Sequence, residues 1–205
     1  MIPSILENKK KRVVIKDIED KKWKRSDDYL DEFEYLISAG ITLEVKAVSK
    51  PSYPLVENSG KNLLKLYLND VGMLSGIYYK NSIKAVMSDV SSVNLGSVYE
   101  TAVAQELKAH GYNLYYYDNK KNGEVDYLID DTDNLSNIPI EVKSGKDYTV
   151  HSALDKFLSI KEYNIRQAYV LSNEKRVYTD NGITYMPIYY VMFFDNEPVD
   201  EVVLL

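Results

Sequence analysis

The sequence predicts a mixed α/β fold, and three observations carry that expectation. Helix-like and strand-like periodicities succeed one another, and after about residue 95 they run in the order helix, three strands, helix, strand. Hydrophobic residues make up 45% of the chain and charged residues 27%, enough apolar material for a real core beneath a polar surface. Cysteine is absent, so the fold is held without disulfides, and thiolate zinc sites and cysteine nucleophiles are excluded.

Ser26 can cap a helix reaching about Ala39, with Tyr29, Leu30, Phe33, Leu36 and Ile37 as its apolar stripe and Gly40 as its stop. Ile41, Leu43, Val45 and Ala47 alternate with Thr42, Glu44 and Lys46, the pattern of a half-buried strand. Pro51, Pro54, Asn58 and Gly60 mark a loop. Leu63 to Leu68 reads as another strand, and Asp70-Val71-Gly72 opens a short helix or turn. Between Tyr79 and Leu95 apolar residues are scattered among Ser, Asp and Asn, which predicts a boundary. Residues 1–80 are therefore expected to form a small winged-helix-like module, and 81–205 a second domain.

In that second domain Asn94 or Ser97 can cap a helix from about Val98 to His110, stopped by Gly111. Val98, Tyr99, Ala102, Val103 and Leu107 are expected to face inward. Residues 112–118 and 124–130 read as strands joined by the Asn119–Gly123 turn. A polar loop over Asp131–Asn137 leads to a strand over 138–143. Helix is expected from Ser152 to Tyr163, strand over 167–172, and a last strand within Ile183–Phe194.

Strand alternation singles out a group of charged residues. Val125, Tyr127 and Ile129 should share one face, with Glu124, Asp126 and Leu128 on the other; Glu141 and Lys143 lie opposite Ile138, Ile140 and Val142. If the two strands are neighbours, Asp126, Glu141 and Lys143 gather on one side of the sheet. Glu100, near the start of the preceding helix, can project over the sheet edge toward them. Clustered carboxylates are costly unless something positive joins them, and hard cations such as Mg²⁺ or Mn²⁺ prefer oxygen ligands. A cation so held can polarise a phosphodiester and activate water, while a lysine offsets developing charge.

The order Glu100, then Gly123-Glu124-Val125-Asp126, then Ile140-Glu141-Val142-Lys143-Ser144-Gly145 resembles the PD-(D/E)xK (restriction-endonuclease-like) nuclease superfamily. Val125 stands where the motif's proline would be. More narrowly, the chain resembles the DUF4143 domain at the C-terminus of AAA-type ATPases. Pro3-Ser4-Ile5-Leu6, the run from Lys65 to Leu74, Gly96-Ser97-Val98-Tyr99-Glu100 and Met186-Pro187-Ile188-Tyr189 also carry that resemblance. It implies Glu100, Asp126 and Glu141 as metal ligands, and Asp126, Glu141 and Lys143 as catalytic residues. Mg²⁺ or Mn²⁺ would be the cofactor, and DNA and an ATPase module of the same polypeptide the partners. No GxxxxGK[ST] loop occurs, so the P-loop half is missing from this sequence and ATP hydrolysis by it is not expected.

Charge bears on the same question. The net charge is −6, yet residues 1–25 carry nine Lys or Arg against four acids. Lys9, Lys10, Lys11 and Arg12 are the expected contacts to nucleic acid. A transcription-factor-like reading of residues 1–60 alone is weakened by Asp27, Asp28, Asp31, Glu32 and Glu34, which make the expected helix acidic. The leading expectation is a Mg-dependent nuclease-like domain acting on DNA. The alternative is a non-catalytic regulatory or docking module of an ATPase. His110 and His151 are isolated and read as surface or capping residues, Ser97 and Ser144 lack a base partner, and Trp23 reads as the anchor of a small core. No apolar run approaches the roughly 20 residues of a membrane span and no signal-peptide core is present, so a cytoplasmic location is expected.

Overall fold

Eight segments with strand-like patterning pair into one mixed sheet. The computed structural model describes residues 29–78, 84, 88, 95–145 and 147–195. Its first part holds α1 (Leu30–Ser38), β1 (Thr42–Val48), a 3₁₀ turn (Leu55–Asn58), β2 (Ser59–Leu68) and α2 (Val71–Tyr78). Then come α3 (Gly96–Ala109), β3 (Tyr115–Asn119), β4 (Gly123–Asp131), β5 (Ser136–Val142), α4 (Ser152–Leu158), β6 (Ala168–Ser172), β7 (Tyr178–Asp180) and β8 (Ile183–Pro187). Short 3₁₀ segments at Lys161–Tyr163 and Ile188–Phe193 complete it.

The strand order is β2-β1-β3-β4-β5-β6-β8-β7. β3, β4 and β5 form an antiparallel meander, and β6 pairs parallel to β5 across the α4 crossover. β1 joins β3 in parallel, so strands from both sides of the expected boundary share the sheet. The winged-helix-like reading of residues 1–80 draws partly on residues 1–28, which lie outside the described residues, as do Lys9, Lys10, Lys11, Arg12 and Trp23.

Apolar side chains cover both faces of the central strands, as expected of strands sandwiched between helices. On one face Val103, Ala104 and Leu107 of α3 pack on Val45, Tyr116, Tyr127, Ile129, Ile140, Val142 and Leu171. On the other, Leu154 and Phe157 of α4 pack on Tyr117, Val125, Leu128, Val170 and Tyr185. α1 lays Tyr29 and Phe33 on Leu66. α1 and α3 end at Gly40 and Gly111 as expected, where the Ile41 and Tyr112 amides reach back to the Leu36 and Leu107 carbonyls. Asp70 opens α2 by accepting the amides of Gly72 and Met73.

Several sequence expectations are corrected. α3 starts at Gly96, with Leu95 at the cap and no side-chain capping bond, so Ser97 lies inside the helix; Asn94 is outside the described residues. Its buried residues include Glu100 and Thr101, whereas Ala102 is only partly covered. The expected loop at 131–137 is shorter, because Asp131 accepts bonds from Asn134 and Ser136 and closes a tight hairpin. The last apolar run leaves the sheet after Pro187 and turns into 3₁₀ helix. β7 was not expected: its three residues are all exposed, so burial imposed no pattern on them.

Candidate active site

Tyr115 faces Leu128 across the β3–β4 ladder, but Tyr117 faces Val125, so β4 carries one residue more than β3 between these pairs. This β-bulge contains Asp126 and Tyr127. It corrects the simple alternation: Val125 packs with Leu128 on the α4 side, while Tyr127 and Ile129 pack on the α3 side. Bulges redirect a side chain and interrupt pairing. Here the Asp126 carboxylate takes over a strand's role, since its Oδ2 accepts the Val142 amide of β5 at 2.9 Å.

The neighbours of Val142 in the chain are Glu141 and Lys143. Lys143 Nζ lies 2.8 Å from Glu141 Oε1, and the Lys143 amide donates to the Leu171 carbonyl at 2.8 Å. The recorded β4–β5 ladder ends at Tyr127–Ile140, and one further step would set Asp126 opposite Glu141. Asp126, Glu141 and Lys143 therefore meet where β4 and β5 part, with the two acids 4% and 6% exposed. Glu141 pairs with Val170, whose side chain lies on the α4 side, so Glu141 leaves its strand on the face away from α3.

Glu100 approaches from α3 and is also buried. Two tyrosines hold it. The Tyr67 hydroxyl donates to its Oε2 at 2.9 Å, and the Tyr127 hydroxyl donates to its backbone carbonyl at 2.8 Å. Burial pushes both phenols well above their ordinary pKa, and the charges of Glu100 and Asp126 push further in the same direction. Both phenols thus remain protonated donors. Their shared response to Glu100 and Asp126 puts these two acids in one neighbourhood.

Sequence reasoning missed the contribution of β2. Lys65 is fully buried, its Nζ 2.7 Å from Glu124 Oε1 and 4.2 Å from the centroid of the Tyr116 ring. The signal was present: Lys65 and Tyr67 fall on the face opposite Leu64 and Leu66, and a lysine inside so apolar a strand requires a partner. Glu124 was expected on the face of Asp126, but the bulge separates their roles.

The donor set at the end of β4 and β5 is all oxygen, which suits Mg²⁺ or Mn²⁺. Among the described residues no group of three or more His, Asp or Glu stands together as a metal cage. Mg²⁺ commonly uses one or two carboxylates, waters and substrate phosphate rather than such a cage, so the Asp126 and Glu141 pair beside Lys143 fits that chemistry. A separate cavity of about 340 Å³, lined by Lys46, Lys108, Asn69 and Asn113 among others, contains none of these residues.

The histidines depart in part from expectation. His151 sits at the cap position of α4 but is buried, with Nε2 2.7 Å from the Tyr185 hydroxyl and Nδ1 2.9 Å from Asp155. His110 caps the end of α3 and lies 3.3 Å from Glu106.

The whole segment from α3 to the end of β8 now has a family counterpart. Residues 95–191 match DUF4143, a domain of unknown function. Comparison with curated proteins and with solved structures gave no match. The DUF4143 segment contains Glu100, Asp126, Glu141 and Lys143, whereas Lys65 and Tyr67 come from outside it. Among the described residues no helix is long and apolar enough to cross a membrane.

Proposed function

We propose that the chain is a nuclease-like domain with a PD-(D/E)xK-type core that hydrolyses DNA phosphodiesters with Mg²⁺ or Mn²⁺. The observation that carries this reading is the junction of β4 and β5, where the bulged Asp126 binds the amide between Glu141 and Lys143. The element order α3-β3-β4-β5-α4-β6, with an antiparallel meander followed by a parallel strand, supports it. Asp126 and Glu141 would hold the cation, with Glu100 contributing from α3. The cation would supply Lewis-acid polarisation and an activated water. Lys143, partly exposed beside Glu141, orients that water or offsets phosphate charge. A basic segment at Lys9, Lys10, Lys11 and Arg12 would meet the DNA backbone.

The test is cleavage of plasmid DNA by the purified chain with Mn²⁺ or Mg²⁺. Activity that needs the cation and disappears in Asp126→Ala and Lys143→Ala supports the proposal. Equal residual cleavage in wild type and both variants removes it.

A second reading has its own observation. Each candidate carboxylate already receives a protein donor: Tyr67 for Glu100, the Val142 amide for Asp126 and Lys143 for Glu141. A site so satisfied can persist without a cation, as in a non-catalytic docking or regulatory module of an ATPase. Thermal melts separate the two. A cation at about 100 times its Kd adds about 2.7 kcal/mol, which raises Tm by roughly 5–10 °C in a domain of this size. No shift in wild type, together with capture of the cognate ATPase module, favours the docking reading.

A further inference from the structure

We propose that Tyr67 is the positioning residue that sets the Glu100 carboxylate for cation binding, so that the site is completed by β2, outside the DUF4143 segment. The inference rests on the metal-site reading above and names a residue that the family match does not contain.

The geometry is specific. Glu100 stands on α3, and a glutamate in that position has three rotatable side-chain bonds and no fixed direction of its own. Tyr127 anchors only its main chain, through the carbonyl at 2.8 Å. The side chain is held from β2, by the Tyr67 hydroxyl on Oε2 at 2.9 Å. Tyr67 can perform this role because it cannot move. Its ring is fully buried in the core beneath α3, with the Tyr127 ring centroid 6.1 Å away. A second contact from the same face of β2 strengthens the case, since Lys65 reaches Glu124 at 2.7 Å, two residues before Asp126. β2 thus sends one phenol and one ammonium toward the acids of α3 and β4. A hydrogen bond to a carboxylate ligand fixes its orientation, and loss of such a partner commonly weakens metal affinity by about 10–100-fold.

The experiment is Mn²⁺ titration by calorimetry on the full chain, comparing wild type, Tyr67→Phe, Glu100→Ala and the double variant, with Tm measured for each. Tyr67→Phe keeps the buried ring and removes one oxygen. Its Mn²⁺ Kd should rise by about 10–100-fold. In the Glu100→Ala background the same change should leave Kd within about two-fold, because a residue acting through Glu100 has nothing left to act on. A Tyr67→Phe protein with lower Tm but wild-type Kd has lost only a structural bond, which overturns the inference while the metal site stands. Wild-type affinity in Glu100→Ala overturns it in the same limited way. Absence of Mn²⁺ binding in wild type removes the inference and the metal-site reading together.

Discussion

Replacing Glu124 by Ala strands the Lys65 ammonium, and the consequence can be worked from the exposure of each partner. Lys65 is 0% exposed and Glu124 30% exposed, with 2.7 Å between Nζ and Oε1. Removing one partner of a buried pair costs about 3–5 kcal/mol, because the other charge is left without compensation in a poorly solvated place. In Glu124→Ala the survivor is the buried ammonium, whose remaining support is the Tyr116 ring, a cation–π contact of about 0.5–2 kcal/mol. The expected loss is therefore about 3 kcal/mol. In Lys65→Met the survivor is a carboxylate that water already reaches, so the expected loss is smaller, about 1–2 kcal/mol. The double variant Lys65→Met/Glu124→Ala should lie near Lys65→Met alone and far from the sum. Urea unfolding of the four proteins measures these values from the midpoints, provided the slopes agree. A Glu124→Ala protein as stable as Lys65→Met, or strictly additive losses, would refute this account of the pair.

Other consequences are smaller and independent. Gly123 has φ +95° and an added Cβ would stand 3.0 Å from Ala153 Cβ, whereas Gly182 at φ +79° has nothing within 4 Å. Both changes to Ala carry backbone strain of about 1–2 kcal/mol, and Gly123→Ala should lose about 1 kcal/mol more through the clash with α4; equal losses in chemical denaturation would show that α4 gives way freely. Burial raises the Asp130 carboxyl above its ordinary value, partly opposed by the Leu55 amide that donates to it at 3.0 Å. A raised acid binds its proton more readily in the folded state, so its charged form opposes folding above that range and the penalty fades as pH falls below the unfolded value near 4. Asp130→Asn should thus be more stable than wild type at pH 7, with the difference closing toward pH 3; a difference constant across that range would remove the assignment.

Much of the DUF4143 segment was legible in the chain because periodicity reports burial directly. The helix ending before Gly111, the hairpin at Asn119–Gly123 and the strand ending in Glu141-Val142-Lys143 all stand where alternation and turn chemistry put them. Glu100, Asp126, Glu141 and Lys143 were likewise singled out from their order and facing. Two features resisted. β7 is short and exposed on every residue, so it left no apolar pattern to read. The bulge is defined by the partner strand, since β4 alone does not reveal that β3 has one residue fewer between the same pairs.

By itself the sequence determined the local states: which segments bury one face, where helices stop, and which charged side chains fall among apolar ones. Those choices depend on neighbours a few residues away, and periodicity records them. Only the tertiary structure decided that Lys65 meets Glu124, 59 residues on, and that Tyr67 holds Glu100, 33 residues on. Such pairings follow from the strand order β2-β1-β3-β4 beneath α3. They are set by how whole elements pack to cover the sheet, and no local pattern encodes that choice.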